Sequence, residues 1–264
     1  MGIYERALAS LQDHGLIGAE DGILVSCGGD TDARALQHGG FRDVLITNLD
    51  VRKSAGIGPY SWQRCDAEDL PFADDSFDWG IVNAGLHHCR SPHRGLLELM
   101  RVSRRGVLAL EARDNLLIRL AVRMGLTPAY ELECVAMGVG GLRNGPLPNF
   151  VYRWTEREVK KTIESAEPGV AHDLRFYYGL VLPTERMTMS SPVKRLALRV
   201  GGVFARALFR LLPRQGNQFA FAIIKTGRTK PWIKAGELNP DYRLGFDPAR
   251  YVPERPDQGL ADRA

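Results

Sequence analysis

Apolar runs alternate with amphipathic segments along the first 112 residues. Short runs of strand type lie at 23–27, 43–49, 60–66, 77–85 and 106–112. Helical patterns lie between them at 3–13, 31–38 and 91–103. Strands that alternate with helices at this spacing form βαβ units, which bury a parallel sheet between two helical layers. The pattern therefore predicts an α/β fold with a doubly wound, mostly parallel sheet.

The second half of the chain follows a different pattern. A segment rich in Gly, Pro and Asn occupies 125–154 and predicts a lid or insert loop. A helix with a T-x-x-E capping box follows at 155–165, and two strands at 172–182 and 217–226 flank a helical segment at 192–212. We expect one domain over 1–226 and an extended tail over 227–264, where prolines recur.

Charge is unevenly distributed, although the formal net charge is only +4. Every charged residue from Arg186 to Gly236 is Lys or Arg. The basic amphipathic helix predicted at 191–214 aligns Arg195, Arg199, Arg206 and Arg210 on one side and apolar residues on the other. It is expected to pack on the sheet, to dock peripherally on an anionic membrane, or to contact a phosphorylated or nucleotide-linked acceptor. Nucleic acid is not favoured, because no aromatics are interleaved with the arginines.

The remaining composition indicates a soluble protein of a reducing compartment. The four cysteines contain no C-x-x-C pair, so neither a disulfide framework nor a zinc knuckle is predicted. The amino-terminal segment lacks the apolar centre of a secretory signal, and no stretch approaches 18 uncharged apolar residues. We expect a cytoplasmic location, with a peripheral position at the inner face of a membrane as the alternative. No metal is expected, since the His, Asp and Glu residues do not show ligand spacing along the chain.

The segment ILVSCGGDTD at 23–32 ends a predicted strand in two glycines. It matches neither G-x-G-x-x-G nor G-x-x-x-x-G-K, so this turn alone is a weak indication of nucleotide binding.

The stretch CDAEDLPFADDSFDWGIVNAGLHH at 65–88 is more informative. An acidic pair, an L-P-F segment, an acidic turn and Phe-Asp opening an apolar strand closely resemble class I S-adenosylmethionine-dependent methyltransferases. The similarity is greatest to the small-molecule branch that includes ubiquinone and menaquinone biosynthesis enzymes, and RGLLELMRVSRRGVLALEA at 94–112 extends it. The resemblance covers about residues 20–112 and implies a seven-stranded, Rossmann-like sheet with S-adenosyl-L-methionine as cofactor.

The resemblance also implies which residues bind the cofactor. Ligands in such sheets lie beyond the carboxyl ends of the strands, at the point where the strand order reverses. The implied residues are Ser26, Cys27, Gly28, Gly29 and Asp30 in the first turn, Asn48 and Asp50 near the ribose, Asp66, Ala67 and Glu68 near the adenine, and Asn83.

This chain departs from the family pattern in its first two strands. Leu24 or Val25 stands where the family has an acidic residue, and Ser26 and Asp30 replace two glycines of its turn. Asp30 is expected to face the methionine ammonium group instead. Asn48 stands where an acidic residue normally binds the ribose hydroxyls, which an amide can still do without charge assistance.

Candidates for the acceptor end follow the fourth and fifth strands and the lid. His87 or His88 could orient or deprotonate the methyl acceptor, or could instead cap a helix and pack in a half-buried contact. Glu111 and Arg113 are expected to point toward the pocket or to form a surface ion pair. Three lid residues would grip a substrate or hold the lid onto the domain: Arg143, Tyr152 and Arg153.

We therefore expect methyl transfer to a small-molecule acceptor, such as a sugar, a lipid-linked metabolite or a phosphorylated metabolite, by in-line displacement. The alternative is a non-catalytic or regulatory protein on a methyltransferase scaffold, which the altered first turn favours. A short-chain oxidoreductase is set aside, because no Tyr is followed by Lys four residues later.

Overall fold

The computed structural model describes residues 2–182, 192–243 and 245. Within them, seven strands form one sheet in the order β3-β2-β1-β4-β5-β7-β6. All neighbouring strands are parallel except β7, which is antiparallel to both β5 and β6. This confirms the predicted mostly parallel α/β sheet. The strands are β1 (Ile23–Ser26), β2 (Val44–Asn48), β3 (Ser61–Arg64), β4 (Phe77–Asn83), β5 (Ser103–Ala112), β6 (Val170–Gly179) and β7 (Gln218–Thr229).

Helices cover the sheet on both faces, and four of them, α1, α2, α3 and α6, bury apolar residues there. They are α1 (Ile3–Asp13), α2 (Asp30–His38), α3 (Pro92–Val102), α4 (Leu116–Arg123), α5 (Leu132–Ala136), α6 (Glu156–Ala166) and α7 (Pro192–Leu211). One core contains residues of α1 and α2, and a second contains residues of α3 and α6. All four residues of β1 are buried, because this central strand has a helical layer on each side.

The strand order reverses at β1. β2 and β3 lie on one side of it and β4 and β5 on the other, so the crossovers leave β1 in opposite directions. A crevice opens at such a point, beyond the carboxyl ends of β1 and β4. The turns that follow these strands therefore meet at one place.

The lid segment and the tail are more structured than predicted. The lid at 125–154 contains α5 and a 3-10 turn at Leu142–Asn144. β7 continues to Thr229, and Ile233–Lys234 pairs with Glu237–Leu238 as a two-stranded hairpin, β8 and β9. An extended tail is therefore wrong for residues 227–238, where local backbone pairing forms strands. Most of the predicted tail, 244 and 246–264, lies outside the described residues.

Among the side chains that the structure describes, those on the apolar side of α7 belong to neither core, contrary to the expectation that this helix packs on the sheet. Leu196, Phe204 and Leu211 are 65%, 71% and 79% exposed. The nearby strands are already covered, because α1 packs on one face of β7 and the Trp154 ring lies 5.7 Å from that of Phe221 on the other. Among the described helices, none is long and apolar enough to cross a membrane.

Candidate active site

A cavity of about 300 Å³ opens at the carboxyl ends of β1, β2 and β4, between these strands and the lid. Of the eleven residues predicted to bind the cofactor, ten line it: Cys27, Gly28, Gly29, Asp30, Asn48, Asp50, Asp66, Ala67, Glu68 and Asn83. Ser26 does not line the cavity and is buried in the core at 1% exposure. Two residues predicted for the acceptor end, His88 and Arg143, line the same cavity.

The first turn depends on close packing of its backbone. A Cβ atom on Gly28 would lie 2.5 Å from Cγ1 of Val25 and 2.9 Å from Cγ2 of Ile46, so only glycine fits there. Cys27 has a φ of 57°, in the left-handed region that glycine adopts most readily. The turn thus follows the sharp backbone path of a glycine-rich turn. Cys27 occupies one of its positive-φ positions, which costs about 1 kcal/mol of conformational free energy.

Asp32 is a cavity residue that the sequence analysis missed. It is 4% exposed, its Oδ2 accepts a hydrogen bond from the Gly29 N–H at 3.0 Å, and its Oδ1 accepts none. Burial raises the pKa of Asp32 to about 6, and the nearby Gly29, Asn83 and Tyr4 only partly offset that effect. A buried carboxylate with an unpaired oxygen beside a cavity fits a cationic ligand group. Asp30, the predicted partner of that group, instead pairs with Arg34 at 3.1 Å.

Asn48 joins the first two turns. Its side-chain N–H donates to the Gly28 carbonyl at 2.9 Å, and its Oδ1 accepts from the Asp50 N–H at 2.9 Å and from Asn144 of the lid at 3.2 Å. The Asp50 carboxylate is engaged by Arg52 at 2.7 Å, and the hydrogen bonds from Arg52 lower the pKa of Asp50. Of the two predicted ribose partners, Asn48 is therefore the one that faces both the first turn and the lid.

The acidic turn after β3 is fixed at both ends. Oδ1 of Asp66 accepts from the Glu68 N–H at 3.0 Å, and its Oδ2 forms an ion pair with Arg143 of the lid. Glu68 accepts from the Arg90 and Ser91 N–H groups at 2.9 and 2.8 Å, just ahead of α3. The Glu68 side chain thus anchors the turn, whereas Asp66 points toward the lid.

Glu111 and Arg113 do not line the cavity, contrary to the expectation that they point into it, and both are 5% exposed. Glu111 accepts hydrogen bonds from the Gly85 and Leu86 N–H groups at 3.0 and 2.7 Å and from Nδ1 of His87 at 2.7 Å. It therefore holds the turn after β4. Arg113 donates twice to Glu156 at 2.9 Å and once to the Arg214 carbonyl at 2.7 Å, so it ties β5 to α6 and to the end of α7.

His87 and His88 occupy different environments in the 3-10 turn Leu86–His88. Burial alone would lower the pKa of His87, but Glu111 and Glu131 outweigh it and raise that pKa to about 10. Burial and the neighbouring His87 lower the pKa of His88. His88 is therefore neutral at pH 7, with Nδ1 3.3 Å from the Gly141 carbonyl, and it is the histidine that lines the cavity.

Glu131, at the start of α5, was not predicted as a site residue. Its carboxylate oxygens lie 3.6 Å from Nε2 of His87 and 3.6 Å from Nε2 of His88. The nearby His87 imidazolium lowers the pKa of Glu131 to about 2. The chain thus contains a cluster with metal-ligand spacing that sequence spacing did not reveal, since Glu131 is far from both histidines along the chain.

Tyr152 and Arg153 line a separate depression of about 400 Å³, next to α4. The Tyr152 hydroxyl is hydrogen-bonded to Glu158 and lies 3.3 Å from Nε2 of His93. Arg153 donates to the Val151 and Pro128 carbonyls at 3.0 and 2.7 Å. The Tyr152 contacts hold the lid segment on the domain, which is one of the alternatives that the sequence left open, whereas Arg153 joins two parts of the lid to each other.

Part of the chain is similar to known proteins. Residues 25–110 match the family model described as "Methyltransferase domain". A demethylmenaquinone methyltransferase of Clavibacter sepedonicus is 44% identical over 55 residues, which are 21% of this chain. The chain spans 22% of the length of that curated relative.

Solved structures show the same fold at low identity. The YcgJ protein of Bacillus subtilis is 14% identical with a TM-score of 0.52, covering 83% of this chain and 98% of its own. A Haloferax volcanii protein solved with the Trm112 methyltransferase activator is also 14% identical with a TM-score of 0.52, covering 84% of this chain and 94% of its own.

Proposed function

We propose, on the premise that the chain carries a methyltransferase domain of the class I S-adenosylmethionine-dependent type, that it methylates a small-molecule acceptor. The observation that carries the proposal is the meeting of Asp32, Asn48 and Asp66 in one cavity at the strand-order reversal. These three groups follow three different strands, as the binding of an amino-acid end, a ribose and an adenine requires.

The residues of the cavity fit the cofactor in chemistry. The Asp32 carboxylate would pair with its ammonium group, and Asn48 would hydrogen-bond the ribose hydroxyls. Asp66 and the Ala67 backbone N–H would meet the adenine, as the resemblance implies. Gly28 allows the backbone to approach without a side chain. Bound S-adenosylmethionine supplies a methyl group already activated by its sulfonium.

His88 is in position to act on the acceptor, because it lines the cavity and is neutral at pH 7. Its Nδ1 faces the Gly141 carbonyl, which leaves Nε2 as a base that can take the proton of an acceptor hydroxyl. His87 is held as a cation between Glu111 and Glu131, so it fixes the turn and does not serve as a base.

The acceptor proposed here is amphiphilic and is presented at an anionic membrane surface. Val139 lines the cavity and is 51% exposed, and nearby Met137 and Leu147 are 67% and 64% exposed. The exposed apolar side of α7 and its arginines supply a second surface of the kind that binds anionic lipid. A lipid-linked sugar or a quinol precursor has this combination of polar head and apolar chain.

The test is methyl transfer from isotopically labelled S-adenosylmethionine to polyprenyl-phosphate sugars, quinol precursors and sugar nucleotides. We expect a labelled lipid-extractable product, and a reduction of about 100-fold in His88→Gln with S-adenosylhomocysteine affinity retained. Labelling of water-soluble sugar nucleotides alone would contradict the amphiphilic acceptor. Cofactor binding without transfer to any acceptor class would favour the regulatory alternative.

A further inference from the structure

Two segments far apart in sequence bring three ligand atoms together beside the cavity. His87 and His88 lie in the turn after β4, and Glu131 lies in the lid. One ring nitrogen of each histidine and a Glu131 oxygen lie within 4.8 Å of one another, and each Nε2 lies 3.6 Å from a Glu131 oxygen. A distance of 3.6 Å is too long for a hydrogen bond, so the groups face a common point without bonding closely to one another.

The other ring nitrogen of each histidine is already held. Nδ1 of His87 donates to Glu111 at 2.7 Å, and Nδ1 of His88 faces the Gly141 carbonyl at 3.3 Å. Histidines that bind metal ions show this arrangement, because a carboxylate or carbonyl on the second nitrogen orients the ring and directs the first toward the ion. Oε2 of Glu131 is buried and accepts no hydrogen bond.

We propose that His87, His88 and Glu131 bind one divalent first-row transition-metal ion, with Zn²⁺ as the best-fitting probe. Tetrahedral bonds of about 2.0–2.1 Å to Zn²⁺ place ligand atoms about 3.3 Å apart. The Nε2–carboxylate distances of 3.6 Å are already close to that value. The ion would also balance the two carboxylates, Glu111 and Glu131, that face this pair of imidazoles. Two imidazoles and one carboxylate leave a coordination position open, as in catalytic metal sites.

This inference rests on the proposed function for its chemical role. Of the three proposed ligands, His88 lines the cavity, so an ion held by it would lie beside the acceptor end. An acceptor hydroxyl bound there ionises more readily, and its proton passes to water. The ionised oxygen then forms its bond to the methyl carbon as the carbon–sulfur bond breaks, with that electron pair going to sulfur. On this route His88 acts as a ligand in place of the base proposed for the metal-free site, and His87 releases its Nε2 proton to water when the ion binds.

The experiment titrates the full chain, purified without an affinity tag and stripped by chelator, with Zn²⁺ in calorimetry and with Co²⁺ in absorption spectroscopy. We expect one equivalent of metal per chain and a visible Co²⁺ spectrum of four- or five-coordinate character. His88→Gln and Glu131→Gln each should weaken binding at least about 10-fold, and Glu111→Gln about 10-fold through the orientation of His87.

His93→Gln is the matched control. Nε2 of His93 also lies 3.6 Å from a carboxylate, that of Glu158, but it does not belong to the cluster. This variant should bind metal as the parent does. Circular dichroism of each variant distinguishes loss of a metal ligand from loss of the fold. If Glu131→Gln does not fold, His88→Gln alone tests the site.

Less than one equivalent bound, or affinity equal in the parent, His88→Gln and Glu131→Gln, would overturn the inference. S-adenosylhomocysteine binding measured on the same samples separates the two proposals. Cofactor binding without metal binding defeats the metal site alone, whereas metal binding without cofactor binding defeats the proposed function.

Discussion

The side-chain amide of Asn144 donates to Oδ1 of Asn48 at 3.2 Å. This hydrogen bond joins the lid to the residue proposed to bind the cofactor's ribose. The next residue toward the amino terminus, Arg143, forms an ion pair with Asp66, proposed to bind the adenine. Both lid residues have a positive φ, of 52° and 56°, a conformation that is costly without glycine. The lid thus occupies polar groups that the cofactor would use.

Replacing Arg143 with alanine should therefore strengthen cofactor binding. The guanidinium competes with the adenine for Asp66, and a partly exposed ion pair of this kind contributes at most about 1 kcal/mol. We expect S-adenosylhomocysteine to bind about 2–5-fold more tightly to Arg143→Ala in calorimetry. Arg153→Ala, which alters a lid arginine bonded to backbone carbonyls away from the cavity, is the matched control. Weaker binding to Arg143→Ala would show that Arg143 closes over the ligand instead.

Asp32→Asn should weaken cofactor binding while stabilising the protein. Charge-assisted hydrogen bonds contribute about 1.5–3 kcal/mol, so their loss should reduce S-adenosylhomocysteine affinity about 10–100-fold. Asn can still accept from the Gly29 N–H, and it removes a buried charge, so the free energy of unfolding at pH 7 should rise by about 1–2 kcal/mol. Asp30→Asn, at a carboxylate paired with Arg34, should change affinity by less than about threefold. An equal loss of affinity in Asp32→Asn and Asp30→Asn would show that Asp32 is not the specific partner of the cofactor's ammonium group.

The same carboxylate sets a pH dependence. The pKa of Asp32 is about 6 in the folded chain against an ordinary 3.8, so the folded state binds more protons between pH 4 and 6. Its contribution to the free energy of unfolding therefore falls as pH rises through that window. Cofactor binding should show the opposite trend, strengthening about tenfold from pH 5 to 7 as Asp32 ionises. In calorimetry at several pH values, the cofactor affinity of Asp32→Asn should not change over this range. If the affinity of Asp32→Asn depends on pH as that of the parent does, Asp32 is excluded as the titrating group.

The exposed face of α7 predicts binding to anionic vesicles. Arginines on such a helix contribute about 1 kcal/mol each near an anionic surface. The triple variant Arg195→Glu, Arg206→Glu, Arg210→Glu should pellet with phosphatidylserine-containing liposomes far less than the parent, and 0.5 M salt should have the same effect on the parent. Lys160→Glu and Lys161→Glu on α6 change charge elsewhere and should leave pelleting unchanged. Equal pelleting by the parent and the triple variant would end the membrane proposal.

The sheet and the turns after its strands were predictable because both rest on local patterns. Alternation of apolar strands with amphipathic helices predicted β1 to β5, and the family resemblance implied Gly28, Asn48 and Asp66 at the strand ends. Glu111 was misplaced because strand direction alone does not say whether a carboxylate faces the cavity or the backbone N–H groups of a neighbouring turn.

Contacts made by the lid could not be predicted in this way. Glu131 and Asn144 reach the cavity through the path of a loop that has no apolar periodicity to reveal it. Asp32 had a local signal, since an acidic residue three positions after Gly29 caps α2, but its burial depends on packing under the first turn. The apolar side of α7 is exposed because other residues, such as those of α1, already cover the nearby strands. The sequence pattern of the helix itself does not indicate this.

Binding of S-adenosylhomocysteine to the full chain, followed by calorimetry, tests the central claim most directly. We expect one site per chain with micromolar affinity, weakened at least about 10-fold in Asp66→Ala and unchanged in Asp69→Ala, which alters an exposed carboxylate of the same turn outside the cavity. No binding at millimolar ligand, or equal binding by the parent and Asp66→Ala, would contradict it.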